Sequence, residues 1–162
     1  MAVYKLLIDE FDEIDYQLIA IHTPLEDYRL AYFINQTLPI KLKKSNFNIQ
    51  ISNKEGDTQF TRFIFEDEQT GISWDLIQNQ NNILLSNERT NQGLFTESNN
   101  NFSAKLYLLP EFKKVDFFLK IEKGMNDIDV TKITRNLKKI QKVNTVYPLD
   151  VEKIKSKNNL IF

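Results

Sequence analysis

Val115-Asp116-Phe117-Phe118-Leu119-Lys120-Ile121-Glu122 is the stretch on which the fold turns. Val115, Phe117, Leu119 and Ile121 alternate with Asp116, Phe118, Lys120 and Glu122, and a period of two is the mark of a β-strand. The period then changes. Across residues 129–142, Val130, Ile133, Leu137 and Ile140 fall within about 80° of one another on a helical wheel. Lys132, Arg135, Lys138, Lys139 and Lys142 fill the opposite side. Asp129 is placed to cap this helix, and Ile128 to staple against Ile133. Residues 143–147 then read as a strand ended by Pro148.

A second strand–helix–strand segment covers residues 15–42. Residues 14–22 read as a strand. Thr23-Pro24-Leu25-Glu26 has the form of a helix start, with Thr23 as cap, Pro24 at the first helical position and Glu26 closing the capping box. The helix should run to about Leu38 and stop before Pro39. Tyr28, Ala31, Tyr32, Ile34 and Leu38 share an apolar arc. Asn35 falls inside that arc and needs a hydrogen-bond partner, for which a tie to a neighbouring strand is expected. Phe33 falls on the polar side, where an interface residue is one reading. Both segments open with Asp followed by an aromatic, Asp15-Tyr16 and Asp116-Phe117. Internal duplication and independent origin both fit that pattern.

Further strands are expected at residues 3–8, 40–42, 47–51 and 105–109. Residues 59–66 and 71–78 read as a hairpin around Asp67-Glu68-Gln69-Thr70, with Trp74, the only Trp, on its second arm. Residues 79–102 hold eight Asn. They read as a long surface loop interrupted by a short strand at 83–85. The expectation is one α+β domain spanning 1–162: a mostly antiparallel sheet of about seven to nine strands carrying two packed amphipathic helices.

Composition excludes several chemistries. The 162 residues include no Cys and one His, so a disulfide, a thiol nucleophile and a multi-His metal site cannot be built within the chain. Gly56, Gly71, Gly93 and Gly124 are isolated, so neither a Walker loop nor a dinucleotide glycine cluster can be written. No cofactor is therefore expected. Acid arrives at Asp9 before a signal-length apolar run develops, and no run approaches the roughly 20 residues that span a bilayer. The expected location is cytoplasmic, with no membrane contact.

The segment Leu109-Pro110-Glu111-Phe112-Lys113-Lys114-Val115-Asp116-Phe117 resembles the signature of the IPExxxVDY family of bacterial proteins. Leu109 stands for Ile and Phe117 for Tyr, the second change removing a hydroxyl. Leu25-Glu26-Asp27-Tyr28-Arg29-Leu30-Ala31-Tyr32 also looks like that family, as does the overall length. The resemblance carries no assigned activity.

Candidate chemistry is sparse. Glu111 and Asp116 form an acid pair that an enzyme on a small polar substrate would use. The favoured reading of Leu109, Pro110, Glu111, Val115, Asp116 and Phe117 is structural: a fixed turn, backbone acceptors and core. His22, with no Ser or Cys partner in view, reads as orienting the strand–helix junction or as exposed. Asp9, Glu10, Asp12, Glu13 and Asp15 read as a solvated loop rather than a metal site. The five cations of residues 129–142 read first as the solvated face of an amphipathic helix; as a contact surface they suit an acidic protein partner, with RNA the less favoured alternative. A homodimer is open.

Charge sharpens that last reading. Residues 1–112 hold 9 basic and 16 acidic side chains, a balance of −7. Residues 113–162 hold 12 basic and 6 acidic, a balance of +6. The net charge of −1 is thus a near-cancellation of two opposite halves. A non-enzymatic, cytosolic protein-binding or adaptor domain is expected, with contacts on the basic face and the 79–102 stretch.

Overall fold

The quoted stretch lies at the centre of the sheet. A computed structural model describes residues 15–54, 56–85, 102–122 and 127–162. The strand expected at 3–8, the acidic run 9–13 and residues 86–101 of the Asn-rich stretch lie outside the described residues. In chain order the elements are β1 (Tyr16–His22), α1 (Asp27–Thr37), β2 (Lys43–Lys44), β3 (Ile49–Asn53), β4 (Gly56–Phe60), β5 (Arg62–Asp67), β6 (Ile72–Gln78), β7 (Gln80–Leu85), β8 (Phe102–Tyr107), β9 (Phe117–Glu122), α2 (Val130–Leu137) and β10 (Thr145–Leu149). Short 3₁₀ turns cover Pro110–Phe112, Val151–Lys153 and Lys157–Leu160.

Six strands form one sheet in the order β10-β1-β9-β6-β5-β2, and β3-β4 and β7-β8 form separate pairs. Every pairing is antiparallel. Following directions across the sheet, β1 runs with β2 and β9 with β10. Each helix therefore joins two parallel strands that are not neighbours, which is the split strand–helix–strand arrangement. The α+β fold is as expected. The two segments are nonetheless unequal in the sheet: β10 lies beside β1, whereas β6 and β5 separate β9 from β2.

The two faces of the sheet bury different cores. Ile19, Ile21, Leu76, Leu119 and Ile121 face α1 and α2, packing on Leu30, Ala31, Ile34 and Leu137. Leu18, Ala20, Ile77 and Phe118 face the other way, under Ile49, Phe60, Leu108, Leu109, Ile154 and Leu160. On that second face the tail is tied down strongly. Lys120, only 4% exposed, donates to Glu122 at 2.5 Å and to the Leu160 carbonyl at 2.9 Å. Its ammonium also lies over the rings of Tyr16 and Phe162. Across the ladder, Asp75 opposes Lys120 and accepts from Arg62 Nε at 2.6 Å. Burial pushes the Asp75 carboxyl up, and the adjacent Arg62 and Lys120 pull it back only in part.

Several boundaries depart from the sequence reading, each for a visible reason. α1 starts three residues late, with Glu26 and not Thr23 at the cap position: Thr23 Oγ1 accepts from Leu25 N–H at 3.2 Å, but the hydroxyl also donates to the Lys142 carbonyl at 2.8 Å and the Thr23 N–H to Asp116 at 2.8 Å. The buried arc of α1 includes Leu30, while Tyr28 and Tyr32 are each 59% exposed. Tyrosine scores as apolar in a pattern, but its hydroxyl keeps it at a wet edge. Phe33 packs against the helical-face core rather than standing free as an interface residue.

Val115 precedes the strand and buries with Phe118, not with Phe117. The expected arm 59–66 is broken at Thr61, so that β4 pairs with β3 and β5 with β6. The strand expected at 40–42 is displaced to Lys43–Lys44, and residues 80–82, expected in a loop, belong to β7. Pro148 lies inside β10, which tolerates it as an edge strand. α2 ends at Leu137, not Lys142. Beyond it the chain makes single turns, closed by bonds such as Ile140 N–H to Leu137 C=O, and reaches a left-handed φ of 70° at Lys142.

Candidate binding surface

The signature residues serve the backbone. Leu109 and Val115 are fully buried on the face opposite the helices, and Phe117 is buried on the helical face. Pro110 opens a 3₁₀ turn, where its missing N–H costs nothing. Glu111 accepts at 2.9 Å from Lys155 N–H, Ser156 N–H and the Ser156 hydroxyl. Burial pushes the Glu111 carboxyl up, but these bonds outweigh it and hold the group below the ordinary glutamate value. Asp116 accepts from Thr23 N–H through one oxygen and from Gln80 Nε2 at 3.1 Å through the other. The two carboxylates thus hold different segments, the tail and the β1–α1 junction.

The residue that organises this region sits where the Asn-rich composition predicts the start of a loop. Asn79 is fully buried and uses every polar group it has. Its side-chain amide donates to the carbonyls of Phe112 (2.9 Å) and Val115 (2.8 Å), and its side-chain oxygen accepts from Leu109 N–H (3.0 Å). Its backbone N–H donates to Asp116 and its carbonyl accepts from Leu108. An Asn-rich context hid it, since neighbouring Asn residues are exposed or half-exposed.

A polar cleft of about 500 Å³ opens at the β1–α1 junction, with walls including Thr23, Glu26, Asp27, Tyr28, Gln80 and Asp116. Among the described residues three carboxylates and no cation line it, a lining that repels phosphate. Glu111 is not among its walls. His22 faces elsewhere: its Nε2 lies 3.0 Å from the Tyr147 hydroxyl, which orients the end of β1 against β10. Asn35 both donates to and accepts from the Leu42 backbone, at 3.0 and 2.7 Å, as its place on the helix required. Among the described residues, no three His, Asp or Glu side chains converge as a metal site demands. No helix among them is long and apolar enough to cross a membrane.

Only part of the predicted cation set is helical. Lys132 and Arg135 project from α2, Lys138 follows its last turn, and Lys139 and Lys142 sit in the turns beyond. All five are exposed. Asp129 caps the helix, accepting from Lys132 N–H at 3.0 Å. The ion pairs among the described residues are Arg62–Asp75, Lys120–Glu122 and Lys153–Asp150. None involves these five cations, and none joins the acidic half of the chain to the basic half.

Beside α2 lies a second, apolar cleft of about 230 Å³. Its walls include Leu38, Pro39, Ile72, Trp74, Ile128 and Ile133, and Lys132 stands at its edge. Sequence periodicity assigned these residues to core or turn. Their convergence needs the end of α1, the start of β6 and the first turns of α2 to meet. No family model, curated protein or solved structure matches the chain.

Proposed function

We propose that the chain is a non-enzymatic binding domain that receives an acidic protein partner on the cationic surface of α2 and the turns after it. One observation carries this reading: five exposed cations stand together without an ion pair among the described residues, in a chain whose net charge is −1. Charge left unpaired on one surface raises the local concentration and encounter rate of an oppositely charged partner. A thiol-free composition supports a cytoplasmic location for this encounter. The signature at residues 109–117 supports placing the chain with the IPExxxVDY family. Buried Leu109, Val115 and Phe117, with Glu111 and Asp116 on backbone donors, are roles that a shared fold would call for.

The test is a titration with a Glu/Asp-rich peptide and, separately, with single-stranded RNA, each at rising salt. The peptide should bind the wild-type chain more tightly than RNA does. The Lys138→Glu/Lys139→Glu double change should cost it about tenfold or more, since each like-charge contact is repulsive. RNA binding that is tighter than peptide binding, with the steep salt dependence of phosphate contacts, would replace this reading with a nucleic-acid one. A double change without effect on the peptide would remove the cationic surface from consideration.

A further inference from the structure

We infer that the acidic partner of the cationic surface is a second copy of this chain, which presents the polar cleft at its β1–α1 junction to Lys139 and Lys142 of the first copy. The inference rests on the proposed function and names its partner.

The two charged segments adjoin within each copy. The Thr23 hydroxyl donates to the Lys142 carbonyl at 2.8 Å, and the Asn144 N–H donates to the His22 carbonyl at 2.8 Å. These bonds pin the turn after α2 against the end of β1. From there the chain passes through Pro24 to Glu26 and Asp27, at the start of α1, and both line the cleft together with Asp116. The turn that carries Lys139 and Lys142 and the helix start that carries Glu26 and Asp27 are therefore neighbours. Glu26, Lys139 and Lys142 are exposed, and Asp27 is half-buried. None of the ion pairs among the described residues joins these groups. Arg29, the next cation along α1, does not line the cleft.

A surface that holds both signs side by side is complementary to itself. A two-fold rotation sets the acids of each copy against the cations of the other, so the contact is made twice and closes as a pair. The cleft, about 500 Å³, has room for lysine side chains, and Tyr28 on its wall, 59% exposed, offers an aromatic face to an ammonium. A net charge of −1 leaves little overall repulsion between copies. An acidic peptide answers the cations alone, whereas a second copy answers the cations and the carboxylates together.

Sedimentation velocity of the full chain over a range of concentrations at low salt should show a monomer–dimer equilibrium. Raising the salt to about 0.5 M should weaken it about tenfold or more, because contacts between exposed charges are screened. A Glu/Asp-rich peptide should compete and dissociate the pair. Glu26→Lys/Asp27→Lys and Lys139→Glu/Lys142→Glu should each be monomeric, and their equimolar mixture should pair again, since both sets of contacts regain opposite signs. The salt and peptide arms use the wild-type chain, so they decide the matter even where a reversal unfolds it. A chain that stays monomeric at low salt yet binds the peptide would overturn the second copy as partner and leave the cationic surface standing. Failure to pair and to bind the peptide would overturn the proposed function too. A dimer that withstands the peptide or either reversal, or folded reversals whose mixture stays monomeric, would overturn the mutual pairing.

Discussion

The two faces of the six-stranded sheet are closed by different means. On one, α1 and α2 lay apolar stripes over Ile19, Ile21, Leu119 and Ile121. On the other, the β3–β4 pair, the turn at Pro110–Phe112 and the tail 150–162 cover Leu18, Ala20, Ile77 and Phe118. A helix satisfies nearly all of its own backbone, so it brings few polar obligations to the core. Irregular chain brings many, because each buried N–H and C=O must find a partner. The polar ties follow that division. Asn79, Glu111, Lys120 and Asn159 bind backbone groups of Leu109, Phe112, Val115, Lys155, Ser156, Leu160 and Leu108. On the helical side the comparable ties sit at helix ends: Asn35 to Leu42, Thr23 N–H to Asp116, and the Thr23 hydroxyl to the Lys142 carbonyl.

The contrast can be broken in graded steps, each read from urea unfolding midpoints. Removing pure packing should cost both faces alike. Phe118→Ala and Leu119→Ala, both fully buried and on opposite faces, should each cost about 4 kcal/mol through lost transfer energy and the cavity left behind. A cost confined to one face would mean that the other is not a packed core.

Polar ties should then separate the faces. Asn79→Leu keeps the number of side-chain heavy atoms but strands the Val115 carbonyl and the Leu109 N–H in the interior and leaves the Phe112 carbonyl with the Val115 N–H alone. It should cost about 3 kcal/mol, against about 1 kcal/mol for Asn35→Leu at its half-buried site. Asp75→Ala removes the anion between Arg62 and buried Lys120. It should cost about 2 kcal/mol, reduced from the full buried-pair value because Arg62 is partly exposed.

Glu111→Gln should have a smaller effect with a defined pH dependence. The folded carboxyl is held below its ordinary value, so the unfolded chain takes up the proton first as pH falls. Its contribution is complete above the unfolded glutamate value and disappears as pH drops through the folded one. The variant should therefore be about 1 kcal/mol less stable at neutral pH, a figure discounted for the exposure of the site, and should converge with the wild type in acid. A gap that persists in acid would assign the effect to packing rather than to charge. Smallest of all, Tyr32→Ala on the outer side of α1 should stay within about 0.5 kcal/mol.

How much of this was legible depends on the kind of interaction. β9, the core residues of α2, its Asp129 cap and the need of Asn35 for a backbone partner are local consequences of period and chemistry, and each was readable along the chain. The α1 start lies beyond the expected one because Thr23, besides its local bond from Leu25 N–H, is held by two distant partners, Asp116 and the Lys142 carbonyl. Asn79 and buried Lys120 were missed for the same reason. Apart from Glu122 beside Lys120, their side-chain partners are 30 or more positions away along the chain, and no local pattern encodes them. For the candidate surface, the cations were visible as a set, whereas the apolar cleft was not. Its walls come from α1, β6 and α2, each of which reads separately as ordinary core.

The sequence by itself determined the α+β class, the alternation that makes β9 a strand, and the concentration of positive charge in residues 113–162. Those properties depend on side-chain type and on spacing within a few residues. Only the tertiary structure decided which strands neighbour which, where α2 stops, and that the five cations make no ion pair among the described residues. These depend on contacts between segments far apart in the chain. Such contacts are set when the whole sheet is assembled and its backbone groups have all found partners.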